Sequence, residues 1–517
     1  MSASTEKKLR RQAREAGTDK KAIAAAEAAK QKAKSKRRWT IGGIAVIVAV
    51  ALVIFLGSGI LNTAATALTI GDEKYSPADV NYQYSGQYYT FANQYGSYAS
   101  IFGLDTSYGV AGAASQPCTM LENGTWRDYF LTAAKDQMVQ LTALADYAEA
   151  NGISLTEEEL QIADELFNEM AATVETSGFS SVDKYLTAMY GSGVDSDVVR
   201  RAELLSALAT KAGNSYQESL QYSDAELEEY YKSLEGANDL FDYYFYRVEA
   251  EATEVTGADG SITTEVSAEA LAKAEDTANL ILDAYNKAEG DYLERFSSAV
   301  SELVADTVPN VNTAVKGSSL SSVYSEWMMG KRSAGDAAVF EDANAQGYYV
   351  VVFSARNDNH YNSANIRHIL IKAIPAEDGT YTDESKAAAL ARAQEILAEF
   401  EAGERTEESF AALAELYSED VGSNTNGGLY ENVGKGQMVE EFDAFCFAGH
   451  ESGTTGIVYG ESASYAGYHV MYYVGEGELY SNVIARDELV NTAMTEWLAE
   501  LVKNYEAKEG YFMRLVG

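Results

Sequence analysis

Cysteine occurs twice in 517 residues, histidine four times, and beyond residue 38 positive charge is scarce. Each shortage closes off a class of protein. Two distant cysteines, Cys118 and Cys446, do not make a disulfide scaffold, although a single bridge between them stays open. Cys446, inside "FDAFCFAG", reads as a small buried hydrophobe rather than a nucleophile. Residues 39–517 hold 26 basic side chains against 74 acidic ones. Such a body repels phosphate backbones, which argues against nucleic acid as a partner and otherwise serves solubility.

The positive charge is packed into residues 1–38, with thirteen Lys/Arg against four acids. No charge then interrupts Thr40 to Gly71, and 41–61 is an almost wholly apolar run of 21 residues. At ~1.5 Å per residue it spans a ~30 Å hydrocarbon layer. The basic cluster before it holds the tail in the cytoplasm and sends the body outside. The expectation is a single-pass membrane anchor at 39–61, behind a basic cytoplasmic tail at 1–38. The small-residue stretch Ala65-Thr66-Ala67 offers the rival reading of a cleaved signal peptide, but the apolar run exceeds a usual signal core.

The length predicts two to four domains. Residues 75–240 are helical in pattern and rich in tyrosine, as in "VNYQYSGQYYTFANQYGSYASIFG" and "WRDYFLTAAKDQMVQLTALADYAEANG". Ser154 with Glu157, and Ser223 with Glu226, read as capping boxes. After 240 the period changes. "FDYYFYRVEA" (241–250) is strand-like, a helical stretch follows, and the unit closes on "GYYVVVF" (347–353). The next unit repeats that order from "NIRHILIKAIP" (365–375) to "GYHVMYY" (467–473), and 480–517 ends the chain with one more amphipathic helix. Repetition on this scale means tandem domains.

The second unit carries the chemistry-bearing side chains. His368 and His469 lie on its opening and closing strands, which a sheet can make neighbours. "YSEDVGSNTNGGLYENVGKGQMVEEFDAFCF" adds Asp420, Met438 and Phe442, the last two placed one helical turn apart. "RHILI", "YSED…GG.L", "G.M..EF" and "GYHV" stand in the order found in the parvulin family of peptidyl-prolyl isomerases, which 365–477 resembles. By layout the rest is similar to bacterial extracytoplasmic foldases.

The resemblance implies an α+β protein. A helical chaperone domain at 75–240 would precede two parvulin-like domains, at 241–357 and 363–477. Each would be a four-stranded antiparallel sheet with surrounding helices, and all would follow one transmembrane helix. The 480–517 helix would pack on the chaperone domain. His368, Asp420 and His469 would be catalytic, and Leu429, Met438 and Phe442 would line the proline pocket. Tyr430 departs from the family, where a glycine commonly follows that leucine. No cofactor is implied. Two His and one Asp fall short of a zinc site. Either histidine alone reads as structural, and only the company of Asp420, Met438 and Phe442 favours a site. His360 and His450 lack such company and read as surface or loop residues.

The first unit has tyrosines where the second has histidines, Tyr349 standing in the place of His469, with Leu320 and Trp327 near the pocket positions. It reads as a copy without isomerase activity. The expected function is a membrane-anchored foldase that binds unfolded, proline-containing secreted chains and isomerises X–Pro bonds. Two alternatives stay open: a non-catalytic holdase, and an envelope-assembly scaffold using the parvulin folds as binding modules.

Overall fold

The computed structural model describes residues 3–15, 59–256, 262–305, 307–344 and 346–517. Most of the basic tail and all but the last three residues of the expected anchor at 39–61 lie outside them. Among the described residues no helix is long and apolar enough to cross a membrane. The chain divides into two compact units, 1–220 with 493–517, and 221–492.

Unit 1 contains helices α1 (Ala3–Glu15) and α2 (Ile60–Ala64), strands β1 (Leu68–Ile70) and β2 (Glu73–Tyr75), and helices α3 (Pro77–Tyr95), α4 (Trp126–Ala150), α5 (Glu157–Thr176), α6 (Val182–Tyr190) and α7 (Ser196–Ser219). Helix α3 starts because Ser76 and Asp79 cap each other's backbone and Pro77 presets the first turn. It stops at Gly96. Its tyrosines divide by face. Tyr84, Tyr88 and Phe91 bury against Trp126 and Phe130 of α4, each such side chain contributing roughly 1.5–3 kcal/mol. Tyr82 and Tyr89 pack instead on Tyr190. The start of α5 is two residues later than the spacing suggests. Thr156 and Glu159 form the cap, in place of Ser154 and Glu157.

The end of the chain completes this unit. Strand Ala507–Glu509 pairs antiparallel with β1, Leu68 opposite Glu509, and β2 takes the other edge. Met513 and Val516 enter the core with Cys118, and Trp497 stacks on Tyr216.

Unit 2 begins with α8 (Asp224–Ser233), which the sequence reading placed in the preceding helical domain. Leu227 and Tyr231 pack on Ala485, and the Tyr231 hydroxyl donates to Asp239 at 3.0 Å. The first module then runs β3 (Leu240–Glu249), hairpin β4 (Ala252–Thr256) and β5 (Ile262–Val266), α9 (Ala268–Lys287), α10 (Tyr292–Leu303), β6 (Asn310–Lys316), α11 (Ser325–Met329), β7 (Ala337–Asp342) and β8 (Gly347–Asn357). The second runs β9 (Asn362–Lys372), α12 (Asp383–Ala402), α13 (Glu407–Tyr417), β10 (Leu429–Val433), α14 (Glu440–Cys446), β11 (Thr455–Glu461) and β12 (Ala466–Leu479). Helix α15 (Tyr480–Val502) gives its first part to unit 2 and its last part to unit 1.

The two sheets share one topology, β6-β3-β8-β7 and β10-β9-β12-β11, with every pair antiparallel. Strand alternation sorts each closing strand by face. Val470 and Tyr472 bury under α12 and α13, while Met471 and Tyr473 join the cluster of α14. Val350 and Val352 bury under α9 and α10, while Val351 and Phe353 join that of α11. The glycine opening both strands has one cause. A Cβ on Gly467 would lie 2.4 Å from the Ile371 carbonyl, and one on Gly347 2.6 Å from that of Val248. Cys118 and Cys446 are both buried and unbridged.

Candidate active site

The central strands of the second sheet, β9 and β12, position the two histidines. His368 stands opposite Met471 and His469 opposite Leu370, so they are diagonal neighbours on one face, within reach of long side chains. Their rings lie 5.1 Å apart and nearly parallel, with Nδ1 to Nδ1 at 2.9 Å. Both are buried, at 3% and 4% exposure. Phe442, from α14, sets its ring edge-on to both at 5.4 and 5.3 Å.

A turn after α13 delivers the carboxylate. It is clipped to β9 where Leu370 donates its amide to the Ser418 hydroxyl at 3.1 Å and Glu419 donates to the Leu370 carbonyl at 2.9 Å. Asp420 Oδ2 then lies 2.9 Å from His368 Nε2. It also accepts from the Ser423 hydroxyl at 2.6 Å and the Tyr430 hydroxyl at 2.9 Å. These donors, His368 first, hold the Asp420 carboxyl well below the usual carboxylate range against the opposing effect of burial. An ionised carboxylate only accepts, so His368 carries a proton on Nε2, and with a single proton on each ring its Nδ1 is an acceptor. His469 therefore donates from Nδ1, and its Nε2 accepts from the Tyr465 hydroxyl, 3.0 Å away. Burial, and then the neighbouring His368, push the His469 pKa down to about 3, which keeps that ring neutral. The result is an unbroken line of donors from Tyr465 through both rings to Asp420.

The remaining expected pocket residues divide. Phe442 and Met438 share one apolar cluster with Ile366, Met471 and Tyr430. Met438, however, precedes α14, which begins at Glu440, so a turn rather than a shared helix face brings it to Phe442. Leu429 opens β10. It pairs with Arg367 while Tyr430 pairs with Ile366, and cross-strand partners share a face. Leu429 is thus on the α12/α13 side, and Tyr430 takes the position facing the histidines, its ring 5.3 Å from His368.

Tyr465, Ser423 and Gly460 had no signal in motif or spacing. Gly460 matters because a Cβ there would lie 2.5 Å from His469 Nε2 and 3.1 Å from the Tyr465 hydroxyl. His360 is exposed beside Asp358, and His450 rests on the Phe445 ring at 4.4 Å, apart from the network. Burial raises the Cys446 thiol to about 12, so it is no nucleophile at neutral pH.

Among the described residues the same face of the first sheet holds no histidine or carboxylate network, only a pair of tyrosine hydroxyls, Tyr243 and Tyr324, 3.3 Å apart. Tyr349 occupies the His469 position, and the residue opposite Val351, matching His368, is Phe245. The two rings lie 5.7 Å apart, with Tyr324 5.5 Å from Tyr349 and Trp327 beside Phe340. Leu320 is buried in this cluster.

A four-stranded antiparallel sheet with paired buried histidines, a carboxylate and an apolar cluster is the arrangement that the resemblance to parvulin-type domains implies. The family described as the PPIC-type PPIASE domain matches residues 348–473, beginning inside β8. Two curated relatives are each 31% identical. One is Chaperone SurA of Alkalilimnicola ehrlichii, over 170 residues covering 31% of this chain and 36% of that protein. The other is Chaperone SurA of Pseudomonas fluorescens, over 133 residues covering 26% and 28%. The chain thus spans about a third of the length of the curated relatives it matches. Among solved structures, the foldase protein PrsA from Streptococcus pneumoniae matches at 11% identity over 74% of this chain and 89% of that chain, with a TM-score of 0.24.

Proposed function

We propose that this chain is a membrane-anchored extracytoplasmic foldase that binds unfolded secreted polypeptides and catalyses cis–trans isomerisation of X–Pro bonds at the second sheet. The observation that carries the reading is the buried His368–His469 pair, 2.9 Å apart, tied to Asp420 and walled by Phe442. The anchor rests on the apolar run 41–61 behind its basic cluster.

Resonance gives the X–Pro bond a barrier of ~18–20 kcal/mol, and uncatalysed exchange takes tens to hundreds of seconds. Rotation breaks no bond, so the reaction needs neither nucleophile nor metal. It needs a site that favours the twisted amide over both planar ends. The cluster of Met438 and Phe442 would hold the pyrrolidine ring and withdraw the amide from water, which favours the less polar twisted form. The histidine network would hold its dipoles in place in advance, so that no reorganisation accompanies the rotation. His368, Asp420 and His469 act here by fixing each other's tautomers.

The test is a proline-peptide isomerisation assay on the full-length protein and its His469→Ala and Met438→Ala variants. A rate for either variant equal to wild type removes the site. For the first sheet we favour a non-catalytic binding role, because Phe245 and Tyr349 stand where the second sheet has its two histidines and offer an aromatic surface in their place.

A further inference from the structure

Unit 1 contains a cavity of about 720 Å³ bounded by β2, α3, α4, the start of α5 and α7. Its volume falls within the roughly 300–1,000 Å³ typical of ligand sites. Met138, Leu155, Leu160, Leu204, Leu205 and Leu208 make an apolar lining. In the core of the unit Leu68, Leu104 and Leu186 are sealed at 0% exposure. Here Leu160 stands 37% exposed, and the three leucines of α7 are only half-buried. The described residues therefore leave a concave face of large aliphatic side chains uncovered.

Charge sets the kind of occupant. The lining includes the carboxylates of Glu73, Asp79, Asp146 and Glu149 against the cations of Lys74 and Arg201, an excess of two negative charges. Arg201 is already answered by Asp79, Nη2 to Oδ1 at 2.8 Å. Asp146 accepts from the Tyr505 hydroxyl at 2.8 Å, a bond that leaves its charge in place. An acyl carboxylate, a phosphate or an acidic peptide would meet like charge at the mouth, whereas a lysine or arginine would meet opposite charge.

We propose that this cavity is a binding site for a cationic apolar segment of an unfolded polypeptide. Large aliphatic side chains seat among the leucines, and an adjacent Lys or Arg lies against Asp146 and Glu149. The proposal rests on the client-binding reading for the origin of the ligand and is independent of isomerisation. It places a first contact with a client in unit 1, apart from the histidine network.

The test is fluorescence anisotropy on the full-length protein with a short labelled peptide whose leucines are flanked by lysines. Its twin carries glutamates in place of the lysines. The expected result is binding of the lysine probe at least about tenfold tighter than its twin, weakening as salt is raised. Ala145→Trp, which fills the cavity without adding charge, and Asp146→Asn with Glu149→Gln should each weaken the lysine probe about tenfold. Isomerisation of a short proline peptide serves as the control and should not change in these variants. Equal binding of the two peptides, displacement of the probe by a fatty acid, or full binding by the folded Ala145→Trp variant would each overturn the cavity proposal. If the control rate is absent in wild type while the probe binds, the isomerase reading fails and this one stands.

Discussion

His368 and His469 meet Nδ1 to Nδ1 at 2.9 Å, a distance that admits one proton between two nitrogens. Which ring supplies it is decided at the two ends of the network. Asp420 requires a proton on His368 Nε2, and with one proton on each ring the Tyr465 hydroxyl donates to His469 Nε2, 3.0 Å away. Tyr465→Phe removes one end while keeping the ring's bulk. A net hydrogen bond is worth about 0.5–1.5 kcal/mol, so kcat/KM for a proline peptide should fall roughly two- to tenfold. The histidine nitrogen chemical shifts should report a mixed tautomer at His469. An unchanged rate and unchanged shifts would show that Asp420 alone orders the pair.

Gly460→Ala tests the same ring from the neighbouring strand. Its Cβ would lie 2.5 Å from His469 Nε2, so the imidazole must leave its place between Tyr465 and His368. Overpacking of this kind costs about 1–3 kcal/mol, and the loss of activity should exceed that of Tyr465→Phe. Thermal unfolding and the isomerisation assay together check it. Wild-type activity in this variant would mean that the ring position is not critical.

The Phe245–Tyr349 pair predicts that the first sheet adds no catalysis. A His368→Ala/His469→Ala double variant of the full chain should fall to the uncatalysed rate, although both sheets remain folded. Residual catalysis above background would assign activity to the first module.

The pH dependence of stability follows from the direction of two shifts. The folded pKa of His469 is about 3, below the unfolded value of roughly 6.5. Between those values the unfolded state binds more protons. Stability is therefore whole above about pH 6.5 and is lost as pH falls toward 3, by at most about 1.4 kcal/mol per pH unit. Asp420, also depressed, adds a loss in the same direction below about pH 4. The stability advantage of wild type over His469→Gln should shrink steadily from pH 7 to pH 4. A gap that stays constant across that range would refute the buried neutral assignment.

His368, Asp420, Met438, Phe442 and His469 could be picked out in the sequence because each sits in a short motif whose order survives in the chain. What was hidden depended on register. The counterpart of His368 is Phe245, opposite Val351, and a shift in the pairing of β3 with β8 between Asp242 and Tyr243 hides that match from residue counting. Leu429 and Tyr430 are adjacent in sequence and opposite in face, which only the pairing with β9 decides. Tyr465 reaches His469 from the turn between β11 and β12, and no periodicity marks a turn residue as part of a site. The tandem sheets were readable from alternation and repeated glycines. The placement of α8 with unit 2 was not, because an amphipathic helix does not say which neighbour its apolar face covers.

The pairing of β1 with the strand Ala507–Glu509 has a consequence for how the molecule is made. Polypeptides emerge amino end first, and 221–492, holding both tandem sheets, lies between the two parts of unit 1. Both sheets can thus form while one edge of β1 still lacks its neighbour and the places of Met513 and Val516 in the core are empty. The helical body closes only when residues 507–516 arrive, so the part read here as the holder of immature chains matures after the two sheets that interrupt it in sequence.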